Sequence, residues 1–165
     1  MPIKPSLVTN TSPLVALAAA LDDFGVIGQV AVLVVPGEVL AELQAGVKRD
    51  NTVEILERAG FCRILPVYPA LPVALSSSLG LGEAAVIHTA LIEAIPTVVL
   101  DERKGRRWAA MHGLRVTGSL GMLLALHRRG LIGSVADAVA KMKSKGIHLS
   151  PSLVDGALRL AGEKQ

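Results

Sequence analysis

The stretch that decides the fold is VAVLVV at residues 30–35, which is followed at once by Pro36. Six consecutive apolar residues, four of them valine, are typical of a strand that is buried on both faces. Proline is tolerated in the first turn of a helix, so a helix is expected directly after this strand. Moving outward along the chain, similar short apolar runs predict further strands at residues 6–9, 62–67, 97–100 and 114–117.

Helical patterns occupy the segments between and after these strands. They are predicted at residues 12–21, 36–45, 50–59, 83–94, 103–112, 119–129, 134–145 and 151–161, with an irregular stretch at 68–80. Strands that alternate with helices predict an α/β fold, a three-layer α/β/α arrangement around a parallel sheet. We expect one domain over residues 1–165, with a core at about 6–130 and a C-terminal helical extension at 131–165.

The composition narrows the function classes. The chain has 165 residues, 51% of them hydrophobic and 19% charged, with a net charge of +3. Only 2% are aromatic, so base stacking is disfavoured and a nucleic acid would be held through its phosphates. The lone Cys62 excludes an internal disulfide and a cysteine-based zinc site, which suits a reducing cytoplasm. No apolar run is long enough for a membrane span, so we expect a cytoplasmic protein without a membrane partner.

Polar and acidic side chains follow several of the predicted strands. In open parallel sheets, ligands bind beyond the carboxyl ends of the strands. Three carboxylates that converge there would cost about 10 kcal/mol if all stayed ionised and unpaired. A proton or a cation removes that cost, and oxygen ligands select Mg²⁺ or Mn²⁺, which activate water against phosphodiesters. The residues concerned are Asn10, Glu38, Glu42, Glu83, Asp101 and Glu102.

Each of these residues also has a plain structural interpretation. Asn10 is a good helix N-cap, and Asp101 would cap the helix that follows it. Glu83 suits the positive end of a helix dipole. Glu38 and Glu42 lie four residues apart on one helical face, and either alone would more often face solvent.

Basic residues follow Asp101 directly. Arg103 and Arg107 share a helical face beside the predicted acidic site, so we expect them to contact phosphate. The lysines at residues 141, 143 and 145 are typical of a solvated surface, and His88 is expected to pack rather than to bind a ligand.

Five blocks of sequence, taken in order, resemble those of PIN-domain proteins, in particular the subgroup related to VapC-type toxins. These blocks are VTNTSPL (8–14), PGEVLAE (36–42), GLGE (80–83), VLDERKGRR (99–107) and TGSLGMLL (117–124).

The resemblance implies a five-stranded parallel sheet and a ribonuclease that depends on Mg²⁺ or Mn²⁺. Glu42, Glu83 and Asp101 match the family's acidic positions, which favours Glu42 over Glu38 as a metal ligand, and Asn10 stands at the first acidic position. Ser12 matches a supporting position, and Glu102 is a possible helper. RNA as substrate, a small antitoxin as partner and a homodimer are also implied.

Two departures from the family pattern leave other functions open. PIN nucleases usually carry Asp where this chain has Asn10, and an amide oxygen adds no charge to a metal site. Thr117-Gly118-Ser119 stands where a further acid is sometimes found. A non-catalytic PIN-like module that binds RNA or protein is the main alternative. A phosphoacceptor domain is disfavoured, because the first strand lacks paired acids and the last lacks a following Lys.

Overall fold

The core of the fold is a five-stranded parallel sheet. The structure is a computed structural model that describes residues 3–46 and 51–165. The strand order is β3-β2-β1-β4-β5, and every neighbouring pair is parallel. The strands are β1 (Ser6–Thr9), β2 (Val32–Val35), β3 (Cys62–Ile64), β4 (Thr97–Val99) and β5 (Arg115–Thr117). The predicted five-stranded parallel sheet is therefore confirmed.

Helices flank this sheet on both faces in a three-layer arrangement. One group consists of α1, α7 and α8, which pack against each other, while α2 and α5 pack together and α6 joins them through α5. The helices are α1 (Thr11–Ala20), α2 (Gly37–Gly46), α3 (Thr52–Arg58), α4 (Val73–Ser76), α5 (Leu81–Ile92), α6 (Arg103–Met111), α7 (Ser119–Arg128), α8 (Val135–Ser144) and α9 (Pro151–Leu160). A 3-10 helix at Phe24–Gln29 precedes β2. Among the described residues, none of the helices combines the length and apolar character that a membrane span requires.

Four strands are shorter than the sequence predicts: β4 and β5 by one residue each, and β2 and β3 by two or more. The amides of Val30 and Ala31 donate back to the Ile27 carbonyl, so these residues close the 3-10 helix and β2 begins at Val32. β3 ends at Ile64 instead of reaching residue 67, because Ile64 pairs with Val35, the last residue of β2, and the chain enters α2 directly after it. It is an edge strand, and most of it is exposed.

Helix boundaries also differ in places. α5 begins at Leu81, two residues before the predicted start, and the stretch expected to be irregular contains the short helix α4. α3 begins at Thr52, while the predicted start at residue 50 lies outside the described residues.

The C-terminal helices pack onto the rest of the fold. Ala138 and Met142 of α8 belong to the main apolar core, and Lys141 forms an ion pair with Asp22 beyond α1 (2.7 Å). A smaller apolar cluster joins α7, α8 and α9 through Leu124, Val135, Val139, Val154 and Ala157. Residues 131–165 therefore cover core surface rather than standing apart from it.

Candidate functional site

Asn10 stands at the carboxyl end of β1, at the centre of the sheet. Its backbone amide donates to Val99 at the end of β4 (3.1 Å) and so fixes it beside that strand. Asn10 occupies the N-cap position of α1 but makes no capping hydrogen bond. Its side-chain oxygen Oδ1 is buried and has no hydrogen-bond partner. The capping interpretation of Asn10 is therefore wrong, and the oxygen remains available to a ligand.

Glu42 lies against Asn10 at this edge. Its Oε2 accepts a hydrogen bond from the Thr11 hydroxyl (2.7 Å), and its Oε1 accepts one from the Gly82 amide (2.8 Å). A Cβ atom on Gly82 would lie 2.6 Å from Glu42 Oε2 and 2.8 Å from Asn10 Oδ1. The two side chains therefore flank a single point at the start of α5.

Glu38 is one turn earlier on α2 and plays a different part. It is only 2% exposed, so the expectation that it faces solvent is wrong. Its Oε1 accepts a hydrogen bond from the Tyr68 amide (2.7 Å), and its Oε2 is buried without a partner. Glu38 thus links the segment after β3 to the start of α2 by a hydrogen bond, whereas Glu42 is the carboxylate that lies next to Asn10.

Glu83 lies in the first turn of α5 with its two oxygens in different surroundings. Oε2 accepts a long hydrogen bond from the Gly80 amide (3.3 Å), while Oε1 is buried without a partner. Burial is the main reason that the pKa of Glu83 is raised; the Gly80 amide opposes this, and the charges of Glu102 and Glu42 add to it. Glu83 is therefore near enough to both carboxylates to sense their charge.

Asp101 follows β4 and is exposed. Its Oδ1 accepts a hydrogen bond from the amide of Ser119, the first residue of α7 (2.8 Å). Asp101 thus binds the start of α7, whereas Glu102 occupies the N-cap position of α6 without a capping side-chain bond. We expected Asp101 to cap α6, the next helix along the chain. That expectation is wrong, because Asp101 accepts its hydrogen bond from the start of α7.

The basic residues of α6 divide into two groups. Arg103 and Arg107 each lie two residues from Gly105, so their side chains point about 160° away from it around the helix axis. Both arginines are exposed, whereas Gly105 is buried. Gly105 faces Glu83, because a Cβ atom there would lie 2.5 Å from Oε1. Lys104 and Arg106 flank that face and are therefore nearer to the acidic side chains.

Three contacts at the site were not predicted from the sequence. These are the Thr11 hydroxyl, the Gly82 amide and the half-buried side chain of Arg106. Ser12, the predicted supporting residue, is exposed, and its neighbour Thr11 contacts Glu42. The available signal is closeness in the blocks: Thr11 follows Asn10 directly, and Arg106 lies five residues after Asp101.

The oxygen donors fit a hard divalent cation in their chemistry. Within residues 3–46 and 51–165, no three His, Cys, Asp or Glu side chains come together as a metal-binding group. Nevertheless, Asn10 Oδ1 and Glu83 Oε1 are buried without partners, and buried polar atoms normally have one. Amide and carboxylate oxygens are the ligands that Mg²⁺ and Mn²⁺ prefer.

The fold and the site together define a class of α/β proteins with acidic and amide side chains at the carboxyl edge of a parallel sheet. The family model DUF3368, described as a PIN domain, matches residues 6–163. The chain therefore belongs to this PIN-domain family and has a nuclease-type fold; PIN domains are generally nucleases that use divalent metal ions. No curated protein and no solved structure matches the chain significantly.

Proposed function

We propose that the protein is an endoribonuclease that depends on Mg²⁺ or Mn²⁺ and hydrolyses RNA phosphodiester bonds. The observation that carries this proposal is the pair of buried, unpartnered oxygens, Asn10 Oδ1 and Glu83 Oε1, at the same edge as Glu42. Such atoms cost free energy unless a ligand completes their coordination. Asn10 and Glu83 would be among the residues that hold a divalent cation, which would complete the coordination of such atoms.

Glu42, Glu83 and Asp101, with Asn10, are the residues proposed to hold the cation. A bound Mg²⁺ or Mn²⁺ supplies activation of water and neutralisation of the phosphate charge. Glu42 is fixed on both oxygens by Thr11 and Gly82, so its carboxylate is oriented before any ligand arrives. Asp101 is fixed on one oxygen by Ser119.

We propose that Arg103, Arg107 and Ser12 bind RNA phosphates at the rim of the site. All three are exposed, and the arginines lie on the outer face of α6. Because this face lies opposite Gly105, which adjoins Glu83, the two arginines would contact phosphates away from the acidic side chains, and such contacts set the position of a strand without reading its sequence.

The order and content of the five sequence blocks support a more specific role. We propose that the protein is the cytoplasmic toxin of a type II toxin-antitoxin pair, inhibited by a small antitoxin and active as a homodimer. Exposed apolar side chains, such as Val73 on α4 and Leu81 on α5, offer contact surface for such partners.

A catalytically inactive PIN module that binds RNA or protein is the second candidate. Asn10 in place of an acid favours it, as does the absence of a three-carboxylate group within the described residues. The two candidates differ in whether RNA is cut.

The test is cleavage of a fluorogenic single-stranded RNA with Mn²⁺ or Mg²⁺. We expect activity that EDTA abolishes and that E42Q and D101N each reduce by at least about a hundredfold, the typical scale for removing a group that stabilises the transition state. E57Q, which removes an exposed carboxylate on α3, is the matched control. Cleavage that survives EDTA contradicts the metal-dependent mechanism. RNA binding without cleavage supports the inactive module instead.

A further inference from the structure

Arg106 is the cation of α6 that is held in a defined position at the carboxyl edge. It is half-buried, and its Nη1 donates a hydrogen bond to the Leu100 carbonyl (2.7 Å). A Cβ atom on Gly118 would lie 2.5 Å from Asp101 Oδ1 and 3.0 Å from Arg106 Nη1. The guanidinium and the Asp101 carboxylate therefore border the same small space.

The backbone next to Arg106 borders a second acidic side chain. Gly105 precedes it and lies against Glu83 Oε1. Arg106 thus stands between Glu83, which its neighbour contacts, and Asp101, which its own side chain adjoins. A phosphate that approaches the Asp101 carboxylate together with a cation would meet the guanidinium beside it.

Most of the donor capacity of Arg106 is unused. A guanidinium carries five N–H donors in a planar fork. Within the described part of the chain, its one side-chain hydrogen bond is to Leu100. Because that bond holds one nitrogen of the planar guanidinium, the remaining donors are pre-oriented, and such an arrangement suits bidentate contact with a phosphate.

We propose that Arg106 is the residue that binds the phosphate at the cleaved bond, in addition to the outer contacts of Arg103 and Arg107. This inference rests on the proposed ribonuclease function for the identity of its ligand. It assigns the contact to the anchored arginine, whereas the sequence pattern alone favours the exposed pair.

The test measures binding of a fluorescein-labelled RNA oligonucleotide by anisotropy in EDTA, across a series of salt concentrations. We expect R106Q to raise Kd about tenfold and to reduce the slope of log Kd against log salt by about 0.7, the contribution of one phosphate on a single strand. R106K keeps the charge without the fork, so its slope should match the wild type and its Kd should lie between the other two. R159Q, an exposed arginine on α9, is the matched control.

A purely structural role for Arg106 predicts a different result. Loss of the Leu100 contact would then lower Tm, while Kd and the salt slope of the folded variants would stay at wild-type values; that result overturns the inference. If R106Q does not fold, R106K carries the same comparison of Kd.

The outcome is independent of cleavage. If the wild-type protein binds RNA through Arg106 but never cuts it, the nuclease proposal is removed, and Arg106 remains the phosphate-binding residue of the acidic edge. Wild-type cleavage together with unchanged RNA binding by R106Q removes the inference alone. Failure of the wild type to bind the RNA at all also overturns it.

Discussion

Three glycines lie against the three acidic side chains of the candidate site. Gly82 adjoins Glu42, Gly105 adjoins Glu83, and Gly118 adjoins Asp101. In each case a Cβ atom would approach a carboxylate oxygen to between 2.5 and 2.8 Å, closer than carbon and oxygen normally come. These glycines therefore make room for the carboxylates.

Gly82→Ala separates stability from metal binding. The added methyl group would displace Glu42 and Asn10, whose side-chain ends can shift without unfolding the protein. Alanine is the better helix former, but displaced Glu42 would lose its hydrogen bonds to the Thr11 hydroxyl and the Gly82 amide, so the two effects oppose each other and the free energy of unfolding should change by less than about 1 kcal/mol. Affinity for Mn²⁺, measured by calorimetry, should fall about tenfold or more, because the oxygens no longer face one point.

Gly156→Ala is the matched control for this substitution. Gly156 lies inside α9 with no atom within 4 Å of the added Cβ, so the helix gains the same propensity without a clash. It should stabilise the protein and leave Mn²⁺ affinity unchanged. Equal Mn²⁺ affinity in both variants would show that Gly82 does not support the site.

Asn10→Asp adds a negative charge at the edge of the sheet where Glu42 lies. The buried oxygen at Asn10 has no partner, so a carboxylate there adds attraction for a divalent cation without breaking a hydrogen bond. We expect Mn²⁺ affinity to rise about tenfold or more, since nearby unit charges interact by about 1 kcal/mol or more even in water.

Asn51→Asp makes the same charge change at an exposed position before α3 and should leave Mn²⁺ affinity unaltered. An unchanged affinity in Asn10→Asp would place residue 10 outside the metal's ligands.

The closeness of Asn10 and Glu42 could be predicted from the sequence, because parallel strands bring their carboxyl ends to one edge. The contacts of Thr11 and Arg106 could not. Which of two adjacent polar residues turns inward depends on how α1 and α6 are rotated about their axes. That rotation is set by tertiary packing of whole helices, which local patterns do not record.

The carboxylate of Glu163 accepts three hydrogen bonds at the start of α8. Its Oε1 accepts from the Val135 amide (2.6 Å), and its Oε2 accepts from the Ala136 amide and the Ser134 hydroxyl (both 2.9 Å). These backbone amides are the main reason that the pKa of Glu163 is lowered. The interaction therefore requires the ionised carboxylate.

Glu163→Gln should reduce the free energy of unfolding by about 1 kcal/mol near neutral pH, the typical size of a capping and dipole contribution. Because the folded pKa lies below the unfolded value of about 4.3, this stability is present above that pH and is lost as the pH falls through the folded pKa. Urea unfolding at several pH values measures the difference, which should shrink below about pH 4.

The exposed Glu57→Gln on α3 serves as the control, since Glu57 makes no such contacts among the described residues. A difference for Glu163→Gln that stays constant with pH would mean that the charge does not contribute.

The elements themselves were predictable to different degrees. β2 could be predicted because a continuous run of valine and leucine suits a strand buried on both faces. The 3-10 helix before β2 could not be predicted, because its hydrogen bonds from the Val30 and Ala31 amides to the Ile27 carbonyl leave no periodic pattern in the sequence. The end of β3 depends on pairing with β2 at an edge, and an apolar run that continues past Ile64 does not reveal that limit.

For the molecule as a whole, the C-terminal helices are expected to be essential for folding. Deletion after Gly130 removes α8 and α9 and uncovers the apolar surface that Met142 and Val154 bury. Each buried side chain of this size contributes about 1.5–3 kcal/mol, and a domain's total stability is only about 5–15 kcal/mol. We expect the shortened chain to lack a cooperative thermal transition by calorimetry.

A chain that ends at Glu163 is the control, because it keeps α8, α9 and the carboxylate that holds α8. It should unfold cooperatively near the Tm of the full chain. A stable, cooperative fragment of residues 1–130 would instead support the division into a core and an extension that the sequence suggests.

The glycines beside the carboxylates also bear on how this protein responds to selection. A library screened only for heat resistance would not favour glycine over alanine at residue 82, so nothing in that screen would preserve the space between Glu42 and Asn10. Homologues selected for thermostability alone would thus drift toward inert scaffolds. The smallest side chain at these positions is therefore a requirement of the acidic edge that folding alone does not impose.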